Sequence, residues 1–182
     1  KTYSVTYSAE VNFVSGSTRD FAAAYTKIYV KGYNKDYLKI SKYFTIKQDG
    51  YKLRFFPSAL SRLLWIDPTE PHTASIFFSD YLKDGDTVID IGSNIGTVTI
   101  QSSVKVGTTG KIFSIEPNPK IFEFLLDNIN FNKINNIKTF NIALGDSDGE
   151  INFSDKVSDV VNSVVKDSSG IKVKITTLDK LL

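Results

Sequence analysis

The chain is 182 residues long, 41% apolar and 13% aromatic, enough for one domain with a core, or one plus a small appendage. A net charge of +2 argues against a primary nucleic-acid role, and the lysines are scattered singly, although a pI near 8.6 leaves weak association open. With no cysteine there is neither a disulfide framework nor a thiolate metal site, no apolar run approaches a membrane span, and no signal-peptide core opens the chain, so a cytoplasmic protein is expected. The chain starts at Lys1 and contains no methionine, which points to processing, truncation or omission of modified residues.

Residues 1–66 read as a tyrosine-rich α+β region. Tyr3, Val5, Tyr7, Ala9, Val11 and Phe13 alternate with mainly polar residues, suggesting a strand, with a helix as the alternative. Ser17 and Asp20 resemble a capping box, after which Phe21, Ala24, Tyr25 and Ile28 share a helical face. Tyr25, Tyr29, Tyr33 and Tyr37 recur every four residues, but Gly32 interrupts them, so packing or an interface is favoured over ligand stacking. Tyr43–Lys47 and Tyr51–Phe56, joined through Asp49-Gly50, spell a β-hairpin. The region could serve as a substrate cap or as an arm for homo-oligomerisation.

Residues 67–182 alternate helix and strand, the signature of a parallel sheet. Thr73–Leu82 is expected to be a helix. Val88, Ile89 and Ile91 form a strand between Asp84-Gly85-Asp86 and Gly92. Thr97–Val106 is helical by context, against its β-branched content. Ile112–Ile115 is the next strand. Asn118 then caps a helix with Pro119 in its first turn and a buried face of Ile121, Phe122, Leu125, Leu126 and Ile129. Ile137–Ile142 is a third strand, Asp146–Gly149 a turn, and Glu150–Ser154 and Ile171–Thr176 are added strands around a polar, mobile Asp155–Gly170.

The chemistry concentrates in Asp90-Ile91-Gly92-Ser93-Asn94-Ile95-Gly96 and in Glu116. Gly92 lets the chain leave its strand in a conformation closed to side chains, and Gly96 lets backbone approach a ligand and opens a helix whose N–H groups can hold an anion. Glu116, at the next strand tip about twenty residues on, is placed to accept from both hydroxyls of a ribose. A dinucleotide site would want a glycine where Asn94 stands, and a P-loop would want Gly-Lys-Ser/Thr. Asp-x-Gly-x-x-x-Gly with a following strand-end acid instead resembles the class I S-adenosylmethionine (SAM) methyltransferases, whose cofactor has an amino-acid end and a ribose but no phosphate.

Further residues resemble FkbM-type methyltransferases in order and spacing. They are Glu116-Pro117-Asn118-Pro119, Leu126-Asp127-Asn128-Ile129-Asn130-Phe131-Asn132, Asn141-Ile142-Ala143-Leu144-Gly145-Asp146 and Ile175-Thr176-Thr177-Leu178-Asp179, with Glu70-Pro71 as a lead-in. The resemblance implies a Rossmann-like class I methyltransferase sheet and O-methylation of a sugar, glycolipid or secondary-metabolite hydroxyl, hence a small-molecule or glycan acceptor. It also implies that Gly92, Ser93, Asn94 and Gly96 wrap the methionyl end and ribose of SAM, and that Glu116 holds the ribose. Ala143 and Asp146 would lie near the adenine, though Asp146 suits a turn equally well. Asp90 either receives the ammonium or anchors the turn. His72, the only histidine, sits near Glu70 and is a weak candidate for the general base, with a structural role as its alternative. No His/Asp/Glu cluster with transition-metal spacing is visible, so no metal is assigned.

The family pattern continues past Thr-Thr-Leu-Asp into strands that complete the cleft, so the sheet is expected to be incomplete at Leu182: a fragment or an incomplete sequence is favoured over a partner that supplies the missing wall. Two other readings stay open: a non-catalytic SAM-fold module for assembly or binding, and, with less support from the charge, an RNA methyltransferase.

Overall fold

The computed structural model describes residues 45–48, 50–66, 80–154, 162–165 and 170–182. The expected strand Tyr3–Phe13, the Ser17 cap and its helix, the tyrosine stripe, Glu70, His72 and all but the end of the expected helix Thr73–Leu82 lie outside the described residues. Residues Ser41–Leu182 make up one structural unit.

The sequence from Thr87 to Phe140 folds as alternating strand and helix. Strands β3 (Thr87–Ile91), β4 (Lys111–Ile115) and β5 (Ile137–Phe140) run parallel in the order β3-β4-β5. Helices α2 (Thr97–Val106) and α3 (Pro119–Phe131) make the crossovers. The register sets Asp90 beside Ser114 and Ile91 beside Ile115. Ile95, Ile100, Ile121, Leu125 and Ile129 join in one core, while Val88, Val106 and Ile112 pack as a second cluster under the sheet. Among the described residues β3 is an outer strand, with Ile89 and Ile91 41% and 60% exposed.

Helix α2 forms despite its β-branched residues because tertiary contacts outweigh propensity. Thr99, Ile100, Ser102, Ser103 and Val106 are buried on one side of it. At its far end Asn136 donates to the Gly107 carbonyl at 2.8 Å. Asn118 caps α3 as expected, its side chain accepting from the Lys120 and Ile121 N–H groups. On α3 the buried face is Ile121, Leu125, Asn128 and Ile129, whereas Phe122 and Leu126 are only half-buried.

The hairpin is present as β1 (Thr45–Lys47) and β2 (Lys52–Arg54), with Ile46 opposite Leu53 and Gly50 at φ +78° in the turn. A helix the sequence reading passed over follows it, α1 (Ala59–Ile66). Its signal was Pro57-Ser58 with Ser61 three residues on: the Ser61 N–H donates to Ser58 Oγ at 3.0 Å, an N-cap bond.

Two asparagines bind this hairpin to α3. Asn132 donates to the Lys52 carbonyl (2.7 Å) and accepts from its N–H (3.0 Å), and Asn128 accepts from the Arg54 N–H (2.7 Å). Spaced four apart, Asn128 on α3 and Asn132 at its C-terminal cap meet alternate residues of β2 as a neighbouring strand would. Arg54 Nη1 also reaches both Asp127 oxygens (2.6 and 2.7 Å), and its guanidinium lies 4.8 Å from the Phe131 ring centre. Asn128 is fully buried and also donates to the Ile95 carbonyl at 2.8 Å. Asn128→Ala strands the half-buried Arg54 N–H and the buried Ile95 carbonyl, so a loss of about 2–4 kcal/mol is expected in urea unfolding. Retention of native stability would show that the hairpin is held by apolar packing alone.

The third strand is shorter than expected. Asn141 turns the chain after Phe140, and Ala143–Leu144 (β6) enters a second sheet of order β6-β9-β7-β8. Strands β7 (Gly149–Phe153) and β9 (Ile171–Thr176) are the two added strands, paired antiparallel. Within the stretch expected to be mobile, Val164–Val165 forms β8 against β7. A last short helix, α4 (Leu178–Leu181), is tied back by Lys180, which donates to Asp148 at 2.6 Å.

Candidate functional site

Strand β3 ends in the glycine loop, and β4 receives it. The N–H groups of Gly92 and Ser93 both donate to the Ile115 carbonyl, at 2.8 and 3.0 Å. Gly96 then donates to the Ser93 carbonyl at 2.9 Å and opens α2 from a left-handed conformation, with no side-chain cap. Gly92 (φ +81°) and Asn94 (φ +50°) are also left-handed. A Cβ placed on Gly92 would meet nothing within 4 Å, so the loop presents open backbone there.

Glu116 is the fastener between the loop and the next turn. It is 6% exposed; its Oε2 accepts from the Asn94 N–H and its Oε1 from the Asn118 N–H, both at 2.9 Å. Its place at the tip of β4, facing the glycine loop, suits the vicinal hydroxyls of a ribose. Asn141, which the sequence reading did not assign to the site, donates to the carbonyls of Glu116 (2.8 Å) and Pro117 (3.1 Å) and so fixes the strand tip.

Beneath the loop the expected Ser93 joins two buried hydroxyls that sequence reasoning missed, Ser114 and Thr99. Ser93 Oγ donates to the Asp90 carbonyl (3.0 Å) and accepts from Ser114 Oγ (2.8 Å) and the Ile115 N–H (3.1 Å). Ser114 Oγ lies 3.0 Å from Thr99 Oγ1, which in turn lies 2.5 Å from Asp90 Oδ2. Burial pushes the Asp90 carboxyl above its ordinary value, outweighing hydrogen bonds from Thr99 and Ser93 that act the other way.

Six of the expected site residues therefore converge at the ends of β3 and β4: Asp90, Gly92, Ser93, Asn94, Gly96 and Glu116. Ala143 is buried in β6, two residues beyond the Asn141 tether. Asp146 is exposed, and its carboxylate accepts from Ser147 of its own turn at 2.9 Å. Open backbone, a helix N-terminus and a buried acid at the carboxyl ends of parallel strands fit a nucleoside ligand.

Residues 73–177 match the TRM5/TYW2 methyltransferase domain. A probable cobalt-precorrin-6B C(15)-methyltransferase from Sulfurisphaera tokodaii is 39% identical over 56 residues, 31% of this chain and 29% of that protein. A protein-L-isoaspartate O-methyltransferase from Caenorhabditis elegans is 26% identical over 106 residues, 58% of this chain and 47% of that protein. The chain thus matches less than half the length of either relative. Among solved structures, P. horikoshii TYW2 in complex with MeSAdo is similar at a TM-score of 0.44 and 22% identity, over 56% of this chain and 36% of that one.

The resemblance to FkbM-type methyltransferases is overturned by this family match. Several residues that suggested it have packing duties that mark no particular substrate. Asn118 caps α3, Asn128 and Asn132 fasten β2, and Asn141 fixes the strand tip. The fold is the expected α/β one, a Rossmann-like class I methyltransferase sheet. With more than half of its length matched, the chain belongs to the TRM5/TYW2 methyltransferase domain family.

Proposed function

We propose that this domain binds SAM in the Asp90–Gly96 loop and transfers its methyl group to an RNA acceptor, of the tRNA class. The observation that carries the cofactor reading is the bond from the Asn94 N–H to Glu116, which draws glycine loop and strand-tip acid into one crevice. Glu116 takes the ribose hydroxyls, Gly92 and Ser93 line the methionyl end, and Asp90 meets the ammonium. Ala143 borders the adenine, with Asp146 in the adjoining turn. The cofactor, when bound, supplies an electrophilic methyl on sulfur, and the protein's task is to hold the acceptor in line behind it. Family membership in an RNA-modifying group favours the RNA acceptor over the hydroxyl of a sugar or secondary metabolite.

The modest charge of +2 favours a second reading, a small-molecule acceptor, since binding through phosphates rests on clustered lysine and arginine. One experiment separates the two. The native polypeptide is titrated calorimetrically with S-adenosylhomocysteine, then incubated with methyl-labelled SAM and unfractionated tRNA. Binding near micromolar, about −8 kcal/mol, with label entering RNA and RNA affinity falling steeply with salt is expected. Absence of S-adenosylhomocysteine binding would sink the cofactor reading. Binding with label entering only a small-molecule hydroxyl pool would sink the RNA reading.

A further inference from the structure

The hydroxyl network beneath the loop can be counted for protons. Four oxygen–oxygen contacts form a closed circuit: Asp90 Oδ2 to Thr99 Oγ1 (2.5 Å), Thr99 Oγ1 to Ser114 Oγ (3.0 Å), Ser114 Oγ to Ser93 Oγ (2.8 Å) and Ser93 Oγ to the Asp90 carbonyl (3.0 Å). Each hydroxyl has one hydrogen to donate. Three hydroxyls therefore fill three contacts. With Thr99 donating to Asp90 Oδ2, Ser114 to Ser93 and Ser93 to the Asp90 carbonyl, the Thr99–Ser114 contact is left without a hydrogen; it is filled only if Asp90 itself carries a proton, so that Thr99 accepts from the carboxyl and donates to Ser114. With Asp90 ionised, two buried oxygens face each other with no hydrogen between them, whichever way the hydroxyls turn. Thr99 and Ser114 are fully buried and Ser93 nearly so, so they cannot all turn to water instead.

We infer that Asp90 is protonated in the ligand-free protein and releases that proton to solvent when an ammonium group enters beside it, so that binding of an amino-acid-bearing nucleoside is coupled to proton release. The O–H bond of the carboxyl breaks, the proton leaves to buffer, and the resulting carboxylate pairs with the ammonium. This rests on the proposed cofactor reading and deepens it: the loop selects for the charged end of its ligand. The groups surrounding Asp90 are compatible with a neutral acid. Helix α2 contributes Thr99, with its one basic residue Lys105 exposed, β4 contributes Ser114, and the loop contributes Ser93. Of the charged residues on these elements, Lys105, Lys111 at the start of β4 and Glu116 beyond its end, none is among the groups that shift the Asp90 carboxyl. Burial raises it and outweighs the hydrogen bonds from the Thr99 hydroxyl, the Ser93 hydroxyl and the Thr99 N–H, with no cation among the opposing groups, and Asp90 stays only half-buried, reachable from the open side at Gly92.

The test is calorimetric titration of the native polypeptide between about pH 5 and 7 in two buffers of different ionisation enthalpy. S-adenosylhomocysteine, which has the ammonium, is compared with 5′-methylthioadenosine, which lacks it. Close to one proton released per S-adenosylhomocysteine bound is expected at the acid end, falling toward zero as pH rises, with affinity gaining up to about tenfold per pH unit in that window. No release is expected with 5′-methylthioadenosine or with Asp90→Asn. S-adenosylhomocysteine binding whose heat is the same in both buffers overturns the proposal and leaves the cofactor reading standing. Binding of neither nucleoside overturns both. A ligand-free measurement stands beside these. Because the folded-state carboxyl titrates above its unfolded value, Asp90 stabilises the native protein fully below the ordinary carboxylate range, and that contribution is lost as pH rises through the folded-state value. Asp90→Asn keeps a donor to Thr99 at every pH, so its urea midpoint is expected to lose this decline. Parallel pH profiles for the two proteins would overturn the proposal.

Discussion

Glu116→Ala is expected to weaken S-adenosylhomocysteine binding at least about 100-fold and to cost about 2–4 kcal/mol of stability, because one carboxylate has two duties. In the ligand-free fold it accepts the Asn94 and Asn118 N–H groups, and its removal leaves both facing a cavity where only water can replace it. Each such buried group costs about 1–3 kcal/mol. In the complex, the same carboxylate would take the ribose hydroxyls, and bonds to a charged acceptor are worth about 1.5–3 kcal/mol apiece. Glu116→Gln separates the duties. One amide oxygen can keep one N–H, but the NH2 group now opposes the other, so part of the stability returns while ribose binding stays impaired. Calorimetric titration and thermal melting read the two effects independently. An unchanged Kd in Glu116→Ala would remove the ribose role, and an unchanged Tm would remove the fastening role.

The core of this site was legible in the chain because its parts are local. An apolar run, two glycines and an acid about twenty residues on are visible to a linear reading, and the structure joins them, the Asn94 N–H donating to Glu116 and the Gly92 and Ser93 N–H groups to Ile115. The circuit of Asp90, Thr99, Ser114 and Ser93 was not legible. It depends on the register that sets Asp90 beside Ser114, and serine and threonine carry no periodic signal of burial. Asn128 was seen, but only as part of a family-like spacing. Its function is evident once β2 lies against α3, since a buried amide satisfies backbone on two elements at once. Helix α1 is harder to read because it is only eight residues long and its start rests on one serine cap. Ile142 continues the apolar run in the sequence, whereas the exposed Asn141 donates to the Glu116 and Pro117 carbonyls and the backbone leaves the sheet after Phe140. The FkbM-like spacing has a related cause: Asn118, Asn128, Asn132 and Asn141 hold the fold together and carry no mark of an acceptor.

The glycines of the loop should respond differently to the same substitution, and Gly96→Ala is expected to be the more damaging to the fold. Gly96 sits at φ +93°, where a side chain costs about 1–2 kcal/mol. A Cβ there would also lie 2.7 Å from Leu125 Cδ1. That atom ends a flexible side chain, but Leu125 is fully buried in the core that joins α2 to α3, so it can yield only by disturbing its neighbours, at about 1–3 kcal/mol. The sum is about 2–5 kcal/mol, a fall in Tm on the order of 10 °C for a domain of this size. Gly92 has a comparable φ of +81° but open space around its missing Cβ, so Gly92→Ala carries the strain without the clash and should lower stability by about 1–2 kcal/mol. Its methyl would instead stand where the proposed ligand's methionyl end lies, and its larger effect is expected in S-adenosylhomocysteine affinity. Melting curves and titrations on the two variants therefore cross. Gly96→Ala should lose more Tm and Gly92→Ala more affinity relative to stability, and a reversed order would mean that Gly92 belongs to the fold and not to the ligand.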